Sequence, residues 1–220
     1  MLVDGDRIAV GLSGGKDSMT MLLILSERLR SVRYDYKLFP IYIDPGFDDG
    51  FGHDLEKYCE EQGYDFTWEK SDFGILAHSK ENRANPCFLC SRLRRKRLFE
   101  IADTLGCTTL ALGHNKDDLI ETLFINMFYS GRIGTMVPRQ PLFNDSFHII
   151  RPLGYVEEKD IVKFSTERKF PIFQNSCPSS ENSKRKEIKD LLENIYKVNP
   201  NIKGNIFRSM SQVKQEYLLT

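Results

Sequence analysis

Arg7-Ile8-Ala9-Val10-Gly11-Leu12, followed without a break by Ser13-Gly14-Gly15-Lys16-Asp17-Ser18, is the stretch on which the fold turns. Residues 7–12 form a short apolar run, 13–18 a glycine-rich turn, and 19–29 have helical composition, so the unit reads strand, turn, helix. In such a unit the backbone N–H groups at the helix start and the helix dipole favour an anion. Gly14 and Gly15 let the backbone approach phosphate oxygens without a Cβ in the way, and Lys16 adds a positive charge. It is not a Walker A loop, which would place Gly at position 10 and Ser or Thr at 17, where this chain has Val10 and Asp17. Asp17 suits a cap or a magnesium-pyrophosphate site. Lys16 and Asp17 are both expected in an exposed loop. The plain alternative is a glycine turn with a capping Ser or Asp before an ordinary helix.

Working outward, the same alternation returns. Residues 37–43 (KLFPIYI) read as a strand ending at Asp44, with Pro40 suited to an edge or a strand end. A glycine-rich loop over 45–52, a helix over 53–62 and a strand over 66–69 follow, then a helix over 91–105, a strand over 109–113 and a helix over 116–129. Residues 148–153 read as the last core strand and 156–169 as a further helix. Short apolar strands alternating with helices of this length predict an α/β domain, a doubly wound parallel sheet covered on both faces. From Pro171 the chain turns polar, with a loop over 175–183 and helices over 184–196 and 202–219. The expected division is a main domain over 1–172 and a small C-terminal helical extension over 173–220.

The chain has 220 residues, 40% of them hydrophobic, enough for one substantial core. Lys plus Arg and Asp plus Glu are 31 each, so any polyanion surface must come from local clustering. No signal segment or membrane span is apparent, and a soluble cytoplasmic protein is expected. Five cysteines, an odd number, argue against a disulfide framework and leave thiols for metal or redox chemistry.

Three further motifs carry chemistry. Pro86-Cys87-Phe88-Leu89-Cys90 precedes a stretch in which Arg83, Arg92, Arg94, Arg95, Lys96 and Arg97 occur with no acidic residue between 82 and 98. Arg92, Arg94, Arg95 and Arg97 are candidate contacts to an RNA backbone, against the alternative of a solvated helix face. Gly113-His114-Asn115-Lys116-Asp117-Asp118 lies between a strand and a helix, on the same carboxyl edge of the sheet as Ser13 to Ser18. One of Asp117 and Asp118 could hold magnesium while the other caps the helix, and Asp117 is favoured for function. His114 could contact phosphate or polarise an activated oxygen, or be a packed structural group. Asp44 could contact a nucleotide or cap its turn. Finally, Cys177 sits in Asn175-Ser176-Cys177-Pro178. A CxxC pair can bind one metal ion, and a third thiol gives three soft ligands, too few to close a structural zinc site. Cys59 and Cys107 read as buried small hydrophobes.

SGGKDS after a buried strand resembles the PP-loop ATP pyrophosphatases, with their Rossmann-like fold. Joined to the CxxC with its basic stretch, to GHNKDD, to Arg151-Pro152-Leu153 and to Cys177, it resembles the tRNA 2-thiocytidine synthetase subgroup over most of the chain. The resemblance implies that ATP is cleaved to AMP and pyrophosphate while the C2 oxygen of a tRNA cytidine is adenylated and then replaced by sulfur. It implies ATP on Gly11, Ser13, Gly14, Gly15, Lys16, Asp17, Ser18, Asp44, Gly113 and His114, with Lys16, Asp17 and Asp117 catalytic and Mg2+ on Asp117 or Asp118. It further implies a 4Fe-4S cluster on Cys87, Cys90 and Cys177 with one iron lacking a protein thiolate. The expected partners are tRNA and a sulfur donor such as a cysteine desulfurase or sulfide, with no membrane and with a homodimer left open. Two features depart from the family pattern: the chain starts nearly at its first strand, without the helical segment that precedes it elsewhere, and Cys177 is followed by Pro178-Ser179-Ser180 instead of a more glycine-containing stretch. The rival readings are thiolation of a uridine or of a substrate other than tRNA, and a non-catalytic nucleotide- or cluster-binding module.

Overall fold

The computed structural model describes residues 2–33, 35–47, 50–83, 85–173, 176–179 and 183–218. Strand β1 (Asp6–Leu12) leads into helix α1 (Lys16–Leu29), β2 (Tyr36–Asp44), α2 (Gly52–Glu61), β3 (Thr67–Lys70), the short α3 (Phe73–Ala77) and the long α4 (Pro86–Thr104). Then come β4 (Thr109–Leu112), α5 (Lys116–Ser130), β5 (Arg139–Leu142), β6 (Phe147–Ile150), α6 (Glu158–Glu167), α7 (Lys184–Val198) and α8 (Asn201–Ser209). The strands form one sheet in the order β3-β2-β1-β4-β6-β5. Every pairing is parallel except that of β5 with β6.

The alternation along β1 explains why both faces are covered. Ile8, Val10 and Leu12 join a buried cluster with α1, α2 and α6, whereas Ala9 points into a second cluster with Ile101 and Ala102 of α4. A strand buried on both sides has no polar face to present, which is why its sequence reads as a continuous apolar run. The chain order reverses between β1 and β4, and the loops leaving the carboxyl ends of those two strands therefore meet in one crevice.

The expected doubly wound α/β sheet is present, parallel but for the hairpin β5–β6 that follows α5. Several finer expectations are corrected, and the strand expected over 148–153 ends at Ile150. Pro40 lies in an interior strand, yet β3 pairs only with Ile41–Asp44. The first half of β2 therefore has no neighbour on that side, and a missing N–H there costs no ladder bond. Helix α4 starts at Pro86, five residues earlier than expected, so the CxxC is helical and does not precede the helix. Pro86 at the first helical position and Asn85, whose side chain accepts the Phe88 N–H, form its start. Lys16 and Asp17 lie in the first turn of α1, half-buried, and not in an exposed loop. The last helix stops at Ser209, short of the expected 219. Asn175, Ser180, Glu181, Asn182 and Leu219 of the expected C-terminal loop and helix lie outside the described residues.

The C-terminal helices are held by a third buried cluster, in which Ile188 and Leu192 of α7 pack on Ile120 of α5. Burying each such side chain contributes about 1.5–3 kcal/mol, enough to hold α7 beside the crevice.

Candidate functional site

The phosphate loop is braced from within. The Ser18 hydroxyl donates to the Gly15 carbonyl at 3.0 Å and accepts the Ser13 N–H at 3.1 Å, so the backbone curls around the start of α1. Gly14 has φ +76°, and a Cβ built there would fall 2.6 Å from the Phe51 ring. Its carbonyl accepts the Phe173 N–H at 3.0 Å, and the Phe51 and Phe173 rings stack beneath. Only glycine fits both the backbone angle and that space.

The GHNKDD turn lies directly on this loop. A Cβ on Gly113 would sit 3.0 Å from the Ser18 backbone nitrogen. Asn115 caps α5 in a reciprocal capping box with Asp118, and its amide also donates to Asp17 Oδ1 at 2.9 Å. Asp117 accepts the Glu158 N–H at 2.9 Å and pairs with Lys203 at 2.5 Å. The two carboxylates thus divide their work: Asp118 caps its own helix and pairs with Arg185, while Asp117 holds the start of α6.

Lys16 Nζ lies 3.0 Å from both Asp17 and Glu158, and Glu158 reaches on to Lys189 of α7 at 2.7 Å. Burial alone would lower the Lys16 pKa, but Asp17 and Glu158 more than offset it and raise it, so the ammonium is charged. Burial also pushes the carboxyl of Glu158 up, and Lys189 and Lys16 bring it to a net lowering. His114 is the opposite case: burial first, then Arg151, Arg185 and Arg95, hold its pKa at about 3. It is therefore a neutral imidazole at physiological pH, and its buried Nδ1 has no hydrogen-bond partner among the described residues. Asp44 is buried, with Oδ1 accepting the Gly46 N–H at 2.7 Å and Oδ2 without a hydrogen-bond partner among the described residues.

A cavity of about 280 Å3 lies between the phosphate loop, the GHNKDD turn and α4. Gly11, Ser13, Asp17, Ser18, Gly113 and His114 line one side, and Ser91, Arg94, Arg95 and Leu98 of α4 the other. The helix that forms the second wall begins with Cys87 and Cys90. Burial pushes the Cys90 thiol up; Arg94 draws it down, and Cys177 and Cys87 push it further up, so the three thiols share one neighbourhood. Among the described residues no three His, Cys, Asp or Glu side chains already stand in a metal-gripping arrangement. Cys59 and Cys107 are buried in the two main core clusters, with thiol pKa values pushed up by burial to about 12 and about 11. Of the arginines, Arg92 and Arg95 are exposed, Arg94 is half-buried, and Arg97 is engaged by Glu69 at 2.7 Å and Glu100 at 2.8 Å.

Two residues that motif reading passed over belong to the site. Glu158 follows no pattern that marks it in sequence. His78, just after α3, accepts or donates at both ring nitrogens: Nδ1 lies 2.8 Å from the Gly74 carbonyl and Nε2 2.7 Å from Ser179 Oγ. With Nδ1 protonated toward the carbonyl, Nε2 accepts the Ser179 hydroxyl and ties down the segment that carries Cys177. His78→Ala is therefore expected to raise the rate at which Cys177 is alkylated by iodoacetamide several-fold, whereas His78→Gln, which keeps a polar atom near the Nε2 position, is expected to stay near the parent rate. Equal alkylation of all three proteins, read by peptide mass spectrometry, would refute this tether.

The chain is similar to proteins of one family along most of its length. The PP-loop domain family matches residues 3–195. A tRNA-cytidine(32) 2-sulfurtransferase of Geobacter sulfurreducens is 40% identical over 223 residues, an alignment covering 100% of this chain and 86% of that protein. A protein of the same name from Vibrio cholerae is 41% identical, with 99% and 71% covered. Among solved structures, the U34-tRNA thiolase NcsA from Methanococcus maripaludis, with its 4Fe-4S cluster, aligns at a TM-score of 0.78 and 26% identity, covering 99% of this chain and 74% of that one.

Proposed function

This chain belongs to the PP-loop domain family and, within it, to the family of the tRNA-cytidine(32) 2-sulfurtransferases, and on that premise we propose that it thiolates the C2 position of a tRNA cytidine at the expense of ATP. The observation that supports this reading most directly is the single cavity in which the phosphate loop faces the helix carrying Cys87 and Cys90. Activation and sulfur transfer act on the same carbon, so the two groups that serve them must open on one space.

In the proposed reaction the N–H groups at Ser13 to Ser18 and the Lys16 ammonium hold the pyrophosphate portion of ATP. The cytidine O2 attacks the α-phosphorus, the bond to the bridging oxygen breaks, and pyrophosphate leaves carrying charge that Lys16 offsets. Hydrosulfide then adds at C2, its proton passes to solvent, and the C2–O bond breaks to release AMP. Neutral His114 serves as a hydrogen-bonding group beside the activated oxygen. Asp117 would hold a magnesium ion in place of the Lys203 ammonium, and such an ion would offset charge on the phosphates.

Cys87, Cys90 and Cys177 would hold an iron-sulfur cluster: all-thiolate donors suit one, and three of them are too few for a closed zinc site. When bound, such a cluster supplies a soft-metal position for the sulfide that is transferred. The three cysteines would hold and orient it, and Arg94 and Arg95 of the same helix line the cavity on which the phosphate loop opens. A cysteine desulfurase or free sulfide is the proposed source of sulfur, and the cytoplasm, where thiols stay reduced, the proposed compartment. Among the described residues no helix is long and apolar enough to cross a membrane.

Incubation with ATP, magnesium and tRNA lacking the modification tests the reading. AMP and pyrophosphate are expected in equal amounts by nucleotide chromatography, with 2-thiocytidine in the digested tRNA by mass spectrometry once sulfide is supplied. ADP as the main product would overturn it.

A further inference from the structure

Lys116, two residues past His114, borders a second cavity of about 590 Å3. Its size lies within the about 300–1,000 Å3 of small-molecule sites. Met136 and Val137 form an apolar wall, and Tyr155, Phe207 and Arg208 line it with Lys116. Tyr155 is 68% exposed, and its ring stands edge-on to Phe207 with centroids 5.7 Å apart. Lys116 Nζ lies 5.2 Å from the centre of the Phe207 ring and is steadied by Glu157. The lining contains two cations and no carboxylate.

An exposed aromatic ring braced by a second ring, beside an exposed arginine, suits a ligand with a flat π-face and an anionic linkage. An unpaired nucleotide has both. Chemistry on a base within RNA requires that base to leave its stack, which costs its neighbours their stacking energy unless the protein replaces it. One turn lines both cavities, with Gly113 and His114 on the ATP crevice and Lys116 on this one.

Resting on the tRNA reading of the preceding section, we propose that this cavity receives an unpaired nucleotide of the tRNA adjacent to the one being modified, its base stacked on Tyr155 and its phosphate on Arg208.

Affinity of the full-length protein for substrate tRNA, measured by fluorescence anisotropy across a salt series, tests this. Tyr155→Ala is expected to weaken binding about tenfold or more, and Tyr155→Phe to bind like the parent, because stacking needs the ring and not the hydroxyl. Arg208→Gln is expected to weaken binding and flatten the salt dependence by about one counterion. A 2-aminopurine placed next to the target cytidine should be quenched by the parent and not by Tyr155→Ala, while ATP binding stays equal in all four proteins. Parent-like affinity and quenching for Tyr155→Ala would overturn the proposal. So would a change in oligomeric state of that variant in sedimentation, since the face would then belong to a second copy of the chain. A parent protein that binds no tRNA would instead refute the functional reading itself.

Discussion

Cys87→Ala, Cys90→Ala and Cys177→Ala are each expected to abolish 2-thiocytidine formation while leaving ATP binding at the parental level. The nucleotide loop is built from Ser13 to Ser18 and braced by Phe51 and Phe173, none of which touches a cysteine through any bond described above. Anaerobically prepared parent protein should carry about four irons per chain, and each variant markedly less, because loss of one of three thiolates removes a large part of the binding energy. Cys59→Ala and Cys107→Ala form the internal control. Both thiols are buried among hydrophobic side chains, so these variants should keep iron and thiolation while losing some stability. Iron content and nucleoside mass spectrometry across the five variants decide the matter. Stoichiometric zinc with undiminished thiolation and no iron would defeat the cluster assignment and leave the ATP chemistry standing.

Lys16→Ala is expected to lower kcat for AMP formation about 100-fold or more, the usual effect of removing one preorganised charge from a reacting centre. The loss should be severe because of what remains. Asp17 and Glu158 each lie 3.0 Å from Lys16 Nζ, and without the ammonium these two carboxylates keep, among the described residues, Lys189 and Asn115 as partners. Steady-state kinetics separate the effects: a role confined to ground-state binding would raise KM for ATP and spare kcat. Thermal unfolding within a few degrees of the parent is expected, since the two ion pairs are half-exposed and each contributes about 1 kcal/mol or less. Parental kcat in Lys16→Ala would remove this residue from the mechanism.

Much of the fold was legible because its signals are local. The continuous apolar run at Ile8 to Leu12 reports a strand covered on both faces, and its sudden change to glycines reports the turn into α1. Of the hairpin β5–β6, only β5 was missed, where the signal was weakest: Arg139–Leu142 contains Arg, Gln and Pro and alternates only between exposed and half-buried positions. The start of α4 has a mark in Asn85-Pro86, five residues before the helix expected from composition at 91.

By itself the sequence determined the strand-turn-helix unit, the anion-binding loop, the spacing of the two helical cysteines and the alternation that makes an α/β sheet. Each of these depends on residues within a few positions of one another, where backbone geometry and periodicity act directly. Only the tertiary structure decided what meets across the crevice. Glu158 reaches Lys16 across 142 positions, Asn115 reaches Asp17 across 98, and His78 holds Ser179 across 101. It also drew Arg97 onto Glu69, a partner 28 positions away on β3, and brought Cys177 into the electrostatic neighbourhood of Cys90. Such pairings leave no periodic trace in the chain, because they follow from how the β-strands are ordered and how the helices pack on them, and that order is set by burial of the whole core.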